Sequence, residues 1–267
     1  GMGRSMAINQ LMVDMLQKKA LGAVAKGVLD VDYVCASSSE TPNRWYPEVK
    51  SRALTKEEIH EMIEAFGKTA KMLMDAGVDG VEIHAVHEGY LLDQFAIANM
   101  NYRTDEYGGS FDNRVRMLVE VVDAIRSVVP DTMPVLVRVS ATDWAAGGWD
   151  LDQTVELAKI LKAHGVDLID VSTGGLIPDV TIPVKPDYQV PFAEQVRSRA
   201  GIPTTAVGLI TKPKQAKKIL KSGAADAVEI GRAALRDPYW PLRAAHKLDV
   251  PVEEAPYQPP YLRGAFR

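Results

Sequence analysis

A short unit written three times constrains this chain more than any other feature. GVDGVEI at 77–83, GVDLIDV at 165–171 and GAADAVEI at 223–230 each follow a helical stretch that stops at the glycine. Each is a brief apolar run with two acidic residues three positions apart, and its length and apolar content are those of a short buried strand. PVLVRVS at 134–140 and PTTAVG at 203–208 read as two more strands between them. Helical apolar spacing fills about 113–128, 151–164, 190–199 and 212–222. Five strands alternating with helices specify an α/β fold with a parallel sheet. Strands covered on both faces should be short and apolar, as these are.

An open sheet and a closed (β/α)8 barrel share this rhythm, and the position of the chemistry separates them. In a barrel, functional residues lie at the C-terminal ends of several strands, with a phosphate site after strands 7 and 8. The unusual residues here fall at strand ends: His84, Arg138, Ser172, Gly208 and the Gly231-Arg232 pair. Gly208 and Gly231 end the last two strands, where backbone N–H groups can hold a phosphate. If those are strands 7 and 8, the strand ending in His84 is strand 4. We therefore expect a TIM-barrel type fold that is incomplete, with strands 4–8 present and strands 1–3 missing.

Three regions follow. Residues 1–54 are irregular, with a helical pattern over 7–25 and loop-like composition at 37–44. Residues 55–250 carry the partial barrel. Its first helix starts at Thr55, with Glu58 three residues on as a capping box, and stops at Gly77. Residues 251–267 form a C-terminal arm too proline-rich for a helix. The exposed edge of the His84 strand invites pairing, so the N-terminal helices or a neighbouring chain should cover it.

The net charge of −4 gives no electrostatic case for nucleic acid. No apolar run approaches a membrane span and no signal peptide is visible, so neither nucleic acid nor membrane is expected as a partner. Cys35 is the single cysteine, which argues against an intrachain disulfide, a Cys-ligated zinc and a four-Cys iron–sulfur cluster from this chain alone. A reducing, cytoplasmic location fits best. Gly1 before Met2 reads as a remnant of tag cleavage.

The densest chemistry follows the first repeat. His84, His87, Glu88 and Tyr90 fall within seven residues, and a long polar loop then leads to Gly108-Gly109 and a helix capped by Ser110. His84 and His87 form an H-x-x-H, which lacks a third ligand and the glutamate of a zinc protease helix; no metal is expected. The pair reads either as structural hydrogen-bonders at a strand end or as donors that hold an anionic or carbonyl oxygen. Tyr90 is either a packing residue or a proton donor, since a phenol suits a basic carbanion. Arg138 interrupts an apolar strand and needs a partner. That partner is Glu82 or Asp170 on a neighbouring strand, or an electron-rich cofactor edge such as the N1–C2=O side of a flavin. Gly231-Arg232 matches phosphate capture by backbone and guanidinium. Arg103, Asp105, Glu106 and Arg114 read as a charge network that fixes the loop.

VEIHAVHEGYLLDQF followed by NYRTDEYGGSFDNRVR resembles the signature of the old yellow enzyme family of FMN-dependent ene-reductases. LVRVSATD, GVDLIDVSTGG, YQVPFAEQVR, AVGLIT and EIGRAALRDPYWP continue the resemblance, most like the YqjM-like branch, so that it spans roughly 41–263. HEGYLLDQF, with Glu88 as an extra residue, is more like the 2-enoate reductase branch. The resemblance implies a (β/α)8 barrel with FMN at its C-terminal mouth and NAD(P)H as reductant. It implies an FMN-dependent oxidoreductase that reduces the C=C bond of α,β-unsaturated carbonyl compounds, the enones and enoates. By motif, His84 and His87 would bind the substrate oxygen and Tyr90 would protonate the α-carbon. Arg138 would contact the flavin N1/O2 edge, and Ser172, Gly174, Gly208, Gly231 and Arg232 would hold the phosphate region. Arg263 resembles an arginine finger that enters a neighbour's site, implying a homo-oligomer, a dimer or a dimer of dimers. Gly3-Arg4 resembles the pair that follows strand 3, which agrees with an N-terminal truncation. Two alternatives stand beside this reading: a non-catalytic barrel fragment that keeps only the phosphate end of the FMN site, and an aldolase- or isomerase-like barrel that uses the phosphate site alone.

Overall fold

The computed structural model describes residues 36–42, 50–87, 89–177 and 180–266. The helical pattern over 7–25, the Gly3-Arg4 pair, Cys35 and Glu88 lie outside the described residues.

The repeats form the core of the architecture. Strands β4 (Val81–His84), β5 (Val135–Ser140), β6 (Leu168–Ser172), β7 (Thr204–Ala206) and β8 (Ala227–Val228) make one parallel sheet in sequence order. The glycines that open the repeats, Gly77, Gly165 and Gly223, have φ of 84°, 88° and 74°. That left-handed turn ends each helix and feeds the next strand, which is why the unit recurs with glycine first.

Helices link the strands: α3 (Phe111–Arg126), α4 (Leu151–Ala163), α5 (Val190–Ala200) and α6 (Pro213–Ser222), with α1 (Lys56–Asp75) leading into β4. The Thr55 capping box forms as expected, with Thr55 accepting from the Glu58 N–H and Glu58 accepting from the Thr55 N–H. Ile59, Ile63, Gly67 and Ala70 make the buried stripe of α1. Helix α3 begins at Phe111, two residues earlier than its apolar spacing suggests, because Ser110 caps it by accepting from the Asn113 N–H. Short helices α7 (Arg232–Arg236) and α8 (Trp240–Lys247) follow β8.

Register partners in a parallel sheet share a face. Val135, Val137, Val139, Ile169, Val171 and Ala206 are all at most 1% exposed and form the helix-facing core. The opposite face carries Glu82, His84, Arg138, Asp170, Thr205 and Glu229. The five strands match the expected strands 4–8 of a barrel-type fold, and among the described residues the barrel is not closed. The sheet still curls, since Glu229, just past β8, reaches Arg138 on β5 three strands away at 2.7 Å. A groove of about 360 Å³ runs along the outer edge of β4, which pairs with no further strand among the described residues, and is lined by Phe66, Ala70, Leu73, His84 and Tyr90 among others.

Three local expectations need correction. Part of the loop-like segment at 37–44 is paired: β1 (Ala36–Ser37) and β2 (Thr41–Pro42) flank β3 (Lys50–Ala53) in a small sheet. Hydroxyls knit it together, with Ser51 Oγ 3.0 Å from Ser37 Oγ and 3.1 Å from Thr41 Oγ1. The polar loop after β4 begins as helix α2 (Leu91–Ala96), whose six residues are all buried. The C-terminal arm contains a 3-10 turn, Pro259–Gly264, because three-residue periodicity tolerates prolines at its first positions.

The loop network forms around Arg103. It donates to Asp105 at 2.6 Å and also to the carbonyls of Ser38 and Leu54, tying the small sheet to the loop. Glu106 pairs instead with Lys56 at 2.7 Å. Arg114 donates to the carbonyls of Ala96 and Gly109 rather than to an acid.

Candidate active site

The site is built at the C-terminal ends of the strands. His84 ends β4, and its ring stands edge-on to His87 at 4.9 Å and to Tyr90 at 4.8 Å between centroids. The structure thus brings together the three side chains that the sequence singled out. Helix α2 sets the turn that carries them. Asp93 accepts from the Gly89 N–H at 2.6 Å, and Gln94 donates to the Gly89 carbonyl at 2.6 Å. Held from both sides, Gly89 places Tyr90 as the residue that caps α2. Sequence reasoning missed this device, although LLDQF directly after Tyr90 carries both pinning residues.

His87 is 7% exposed, and its Nδ1 lies 2.5 Å from Ser140 Oγ at the end of β5. Ser140 Oγ donates in turn to the Gly174 carbonyl at 2.9 Å. The serine has one proton; spending it on Gly174 makes His87 Nδ1 the donor and assigns that tautomer. Turning the serine proton toward Nδ1 moves the histidine proton to Nε2. The pair therefore sets which nitrogen of His87 is a donor at the mouth. Burial, then the charge of Arg138, then His84, hold the His87 imidazole neutral, with a pKa pulled from 6.5 to about 3.

That depression has a sign. Between about 6.5 and about 3 the unfolded chain binds a proton that the folded chain does not, so the contribution of neutral His87 is complete above 6.5 and is lost as pH falls through this window. The slope is about 1.4 kcal/mol per pH unit. Urea unfolding of the wild type across that window should show this acid limb steeper than in His87→Gln. Parallel curves for the two would contradict the assignment.

Arg138 finds its partners within the sheet. Its Nη1 donates to Asp170 and, at 2.7 Å, to Glu229 Oε2. Asp170 was among the partners expected from sequence; Glu229 was not, because only the curl of the sheet brings β8 across to β5. Asp170 is fully buried and also accepts from Thr205 Oγ1 at 2.6 Å. The carboxylates of Glu82, Asp170 and Glu229 lie within 4.8 Å of one another. Burial and the neighbouring Asp170 raise the pKa of Glu82, and the same two causes push Glu229 up to about 7 against the pull of Arg138.

The expected phosphate end is continuous with this cluster. Gly208, Glu229, Gly231 and Arg232 line one cavity of about 200 Å³ together with Gln189 and Arg236. Gln189, which the sequence did not single out, accepts from Thr173 Oγ1 at 2.7 Å and from Ser172 Oγ at 3.3 Å. A Cβ on Gly208 would meet the Gln189 side chain at 3.2 Å. The amide N–H groups of Gly208 and Gly231 have no acceptor among the described residues. Free amides beside Arg232 suit a phosphate, and Arg138 keeps Nε and Nη2 without an acceptor among the described residues. These residues fit FMN in donor chemistry. Arg263 lies elsewhere: it is exposed and lines a larger cavity of about 780 Å³ with Tyr239, Tyr257, Tyr261 and Phe266.

The profile of the NADH:flavin oxidoreductase / NADH oxidase family matches residues 10–250. The chain belongs to this flavin oxidoreductase family. An NADPH dehydrogenase of Geobacillus thermodenitrificans is 48% identical over 213 residues, 80% of this chain and 61% of that enzyme. Among solved structures, a 2-naphthoyl-CoA reductase aligns with a TM-score of 0.72 at 29% identity, covering 79% of this chain and 33% of the other. Morphinone reductase in complex with tetrahydroNAD aligns with a TM-score of 0.65 at 27% identity, covering 81% and 60%. The resemblance to old yellow enzymes is thereby borne out, as is the barrel-type fold. Membership in the flavin oxidoreductase family implies FMN and NAD(P)H as cofactors. The chain spans about three fifths of the length of the curated relatives it matches. Among the described residues no helix is long and apolar enough to cross a membrane.

Proposed function

We propose that this chain is an FMN-dependent NAD(P)H oxidoreductase that reduces the C=C bond of α,β-unsaturated carbonyl compounds. The observation that carries the reading is the meeting of His84, His87 and Tyr90 at the end of β4, next to a guanidinium and a phosphate-sized cavity. Bound FMN, reduced by NAD(P)H, would supply the hydride chemistry such a reduction needs.

The chain's own residues do the rest. His84 and His87 hold the substrate oxygen, and His87 does so as a neutral donor once Ser140 turns its proton toward Nδ1. Withdrawing charge through that oxygen makes the β-carbon electrophilic. Tyr90 gives its phenolic proton to the α-carbon. Arg138 would hold the N1/O2 edge of the flavin, and Ser172, Gly174, Gly208, Gly231 and Arg232 would hold its phosphate region. The names of the relatives support NADPH as reductant. We place this chemistry in residues 55–250, flanked by segments 1–54 and 251–267, in a cytoplasmic homo-oligomer in which Arg263 enters a neighbour's site.

Protein loaded with FMN should oxidise NADPH in a manner dependent on an enone such as 2-cyclohexenone. Tyr90→Phe should lower the rate of alkene reduction by about 10²- to 10⁴-fold, the range for a lost general acid, while flavin reduction by NADPH in the absence of enone is unchanged. An equal loss in both half-reactions would remove Tyr90 from the proton-donor role. A second reading is favoured by the five-strand sheet: a chain that keeps the phosphate end and binds FMN without reducing alkenes. FMN uptake with no enone-dependent NADPH oxidation would select it.

A further inference from the structure

Arg138 is shared. One nitrogen, Nη1, carries both of its carboxylate bonds, to Asp170 from the neighbouring strand and to Glu229 from across the curled sheet. Asp170 is anchored independently by Thr205, so it holds its place without Arg138. Glu229 accepts from Arg138 and also faces Asp170, with which it can share a proton when one of the two carboxyls is protonated. It also lines the phosphate-end cavity, with Arg232 and Arg236 beside it. Glu229 therefore touches both the guanidinium and the cavity.

We propose that Glu229 is a positioning residue that sets how much positive charge Arg138 presents to a bound flavin. The proposal rests on the flavin reading of the site. With Glu229 ionised, Arg138 is neutralised twice over, and a negative charge sits beside the cavity. With Glu229 protonated, the hydrogen bond persists through the carbonyl oxygen of the acid, and the guanidinium charge is released toward its unpartnered Nε and Nη2. An electron-rich ring edge and a phosphate are both held better in the second state.

The groups that face Glu229 are Glu82 from β4, Arg138 from β5 and Asp170 from β6, while Arg232 and Arg236 from α7 line the same cavity. Burial and Asp170 push its proton affinity up, to a pKa of about 7. The switch between the two states thus falls near neutral pH. FMN binding should draw a proton onto Glu229, so FMN affinity should weaken as pH rises through 7.

The test is FMN titration by flavin fluorescence quenching, from about one unit below to about one unit above that pH, with wild type, Glu229→Gln and Glu229→Asp. Glutamine keeps an acceptor for Arg138 Nη1 and removes the titrating charge. The wild-type dissociation constant should rise by roughly threefold to tenfold over this range, where tenfold corresponds to one pKa unit of coupling. Glu229→Gln should bind tightly throughout with a flat profile, and Glu229→Asp should restore the slope. The midpoint potential of bound FMN should be higher in Glu229→Gln than in wild type at the alkaline end. A wild type that binds FMN with the same pH profile and potential as Glu229→Gln would overturn this role and leave the flavin site standing. A wild type that binds no FMN would overturn the flavin reading itself.

Discussion

Arg138→Met is expected to lower folding stability by about 3–5 kcal/mol, the usual cost of deleting one partner of a buried ion pair, and to abolish FMN uptake. The cost arises from what stays behind. Asp170 is fully buried and loses its cation, while Glu82 and Glu229 remain within 4.8 Å of it. Glu229 then stays protonated to a higher pH, since Arg138 is what pulls its pKa down. Urea unfolding and FMN titration on the same preparation separate the two effects. The double variant Arg138→Met/Asp170→Asn should regain much of the stability and none of the FMN binding. A double variant no more stable than Arg138→Met would show that the lost stability has another origin.

Gly108→Ala is the second large effect, and it acts on the loop. A Cβ at Gly108 would lie 2.2 Å from the Arg103 carbonyl oxygen and 2.6 Å from its Cβ. Both are fixed atoms, because Arg103 is tied to Asp105 and to the carbonyls of Ser38 and Leu54. The loop must open or the small sheet must lift off, at about 3 kcal/mol. Gly109, with a φ of 83° and nothing within 4 Å of an added Cβ, tests conformation rather than space. Alanine there should cost about 1 kcal/mol. Equal midpoints in urea for the two alanine variants would contradict the tight approach at Gly108.

The contrast between these residues shows what the chain made legible. Strands β4, β6 and β8 could be read because each begins at a glycine turn and continues as a short apolar run; local spacing carries the whole signal. The cluster of His84, His87 and Tyr90 could be read for the same reason, since all three fall within one turn of chain. Helix α2 was hidden, because six buried residues hold too little periodicity to separate helix from loop. The small sheet was hidden by its polar strands, which pair through Ser37, Thr41 and Ser51 rather than through an apolar face. The Arg138–Glu229 contact joins residues 91 apart in sequence. Only the curl of five strands brings them together, and no local pattern encodes that curl. Gln189 likewise gains its place between Ser172 and Gly208 from two strand ends that meet in space.

The central claim is that these strand ends form a flavin site. The most direct measurement is a titration of the purified protein with FMN, followed by the visible absorbance of the flavin. Stoichiometric uptake with a shifted visible band, lost in Arg138→Met and retained in Tyr90→Phe, is the result expected here. Wild-type protein that leaves the spectrum of added FMN unchanged would contradict it.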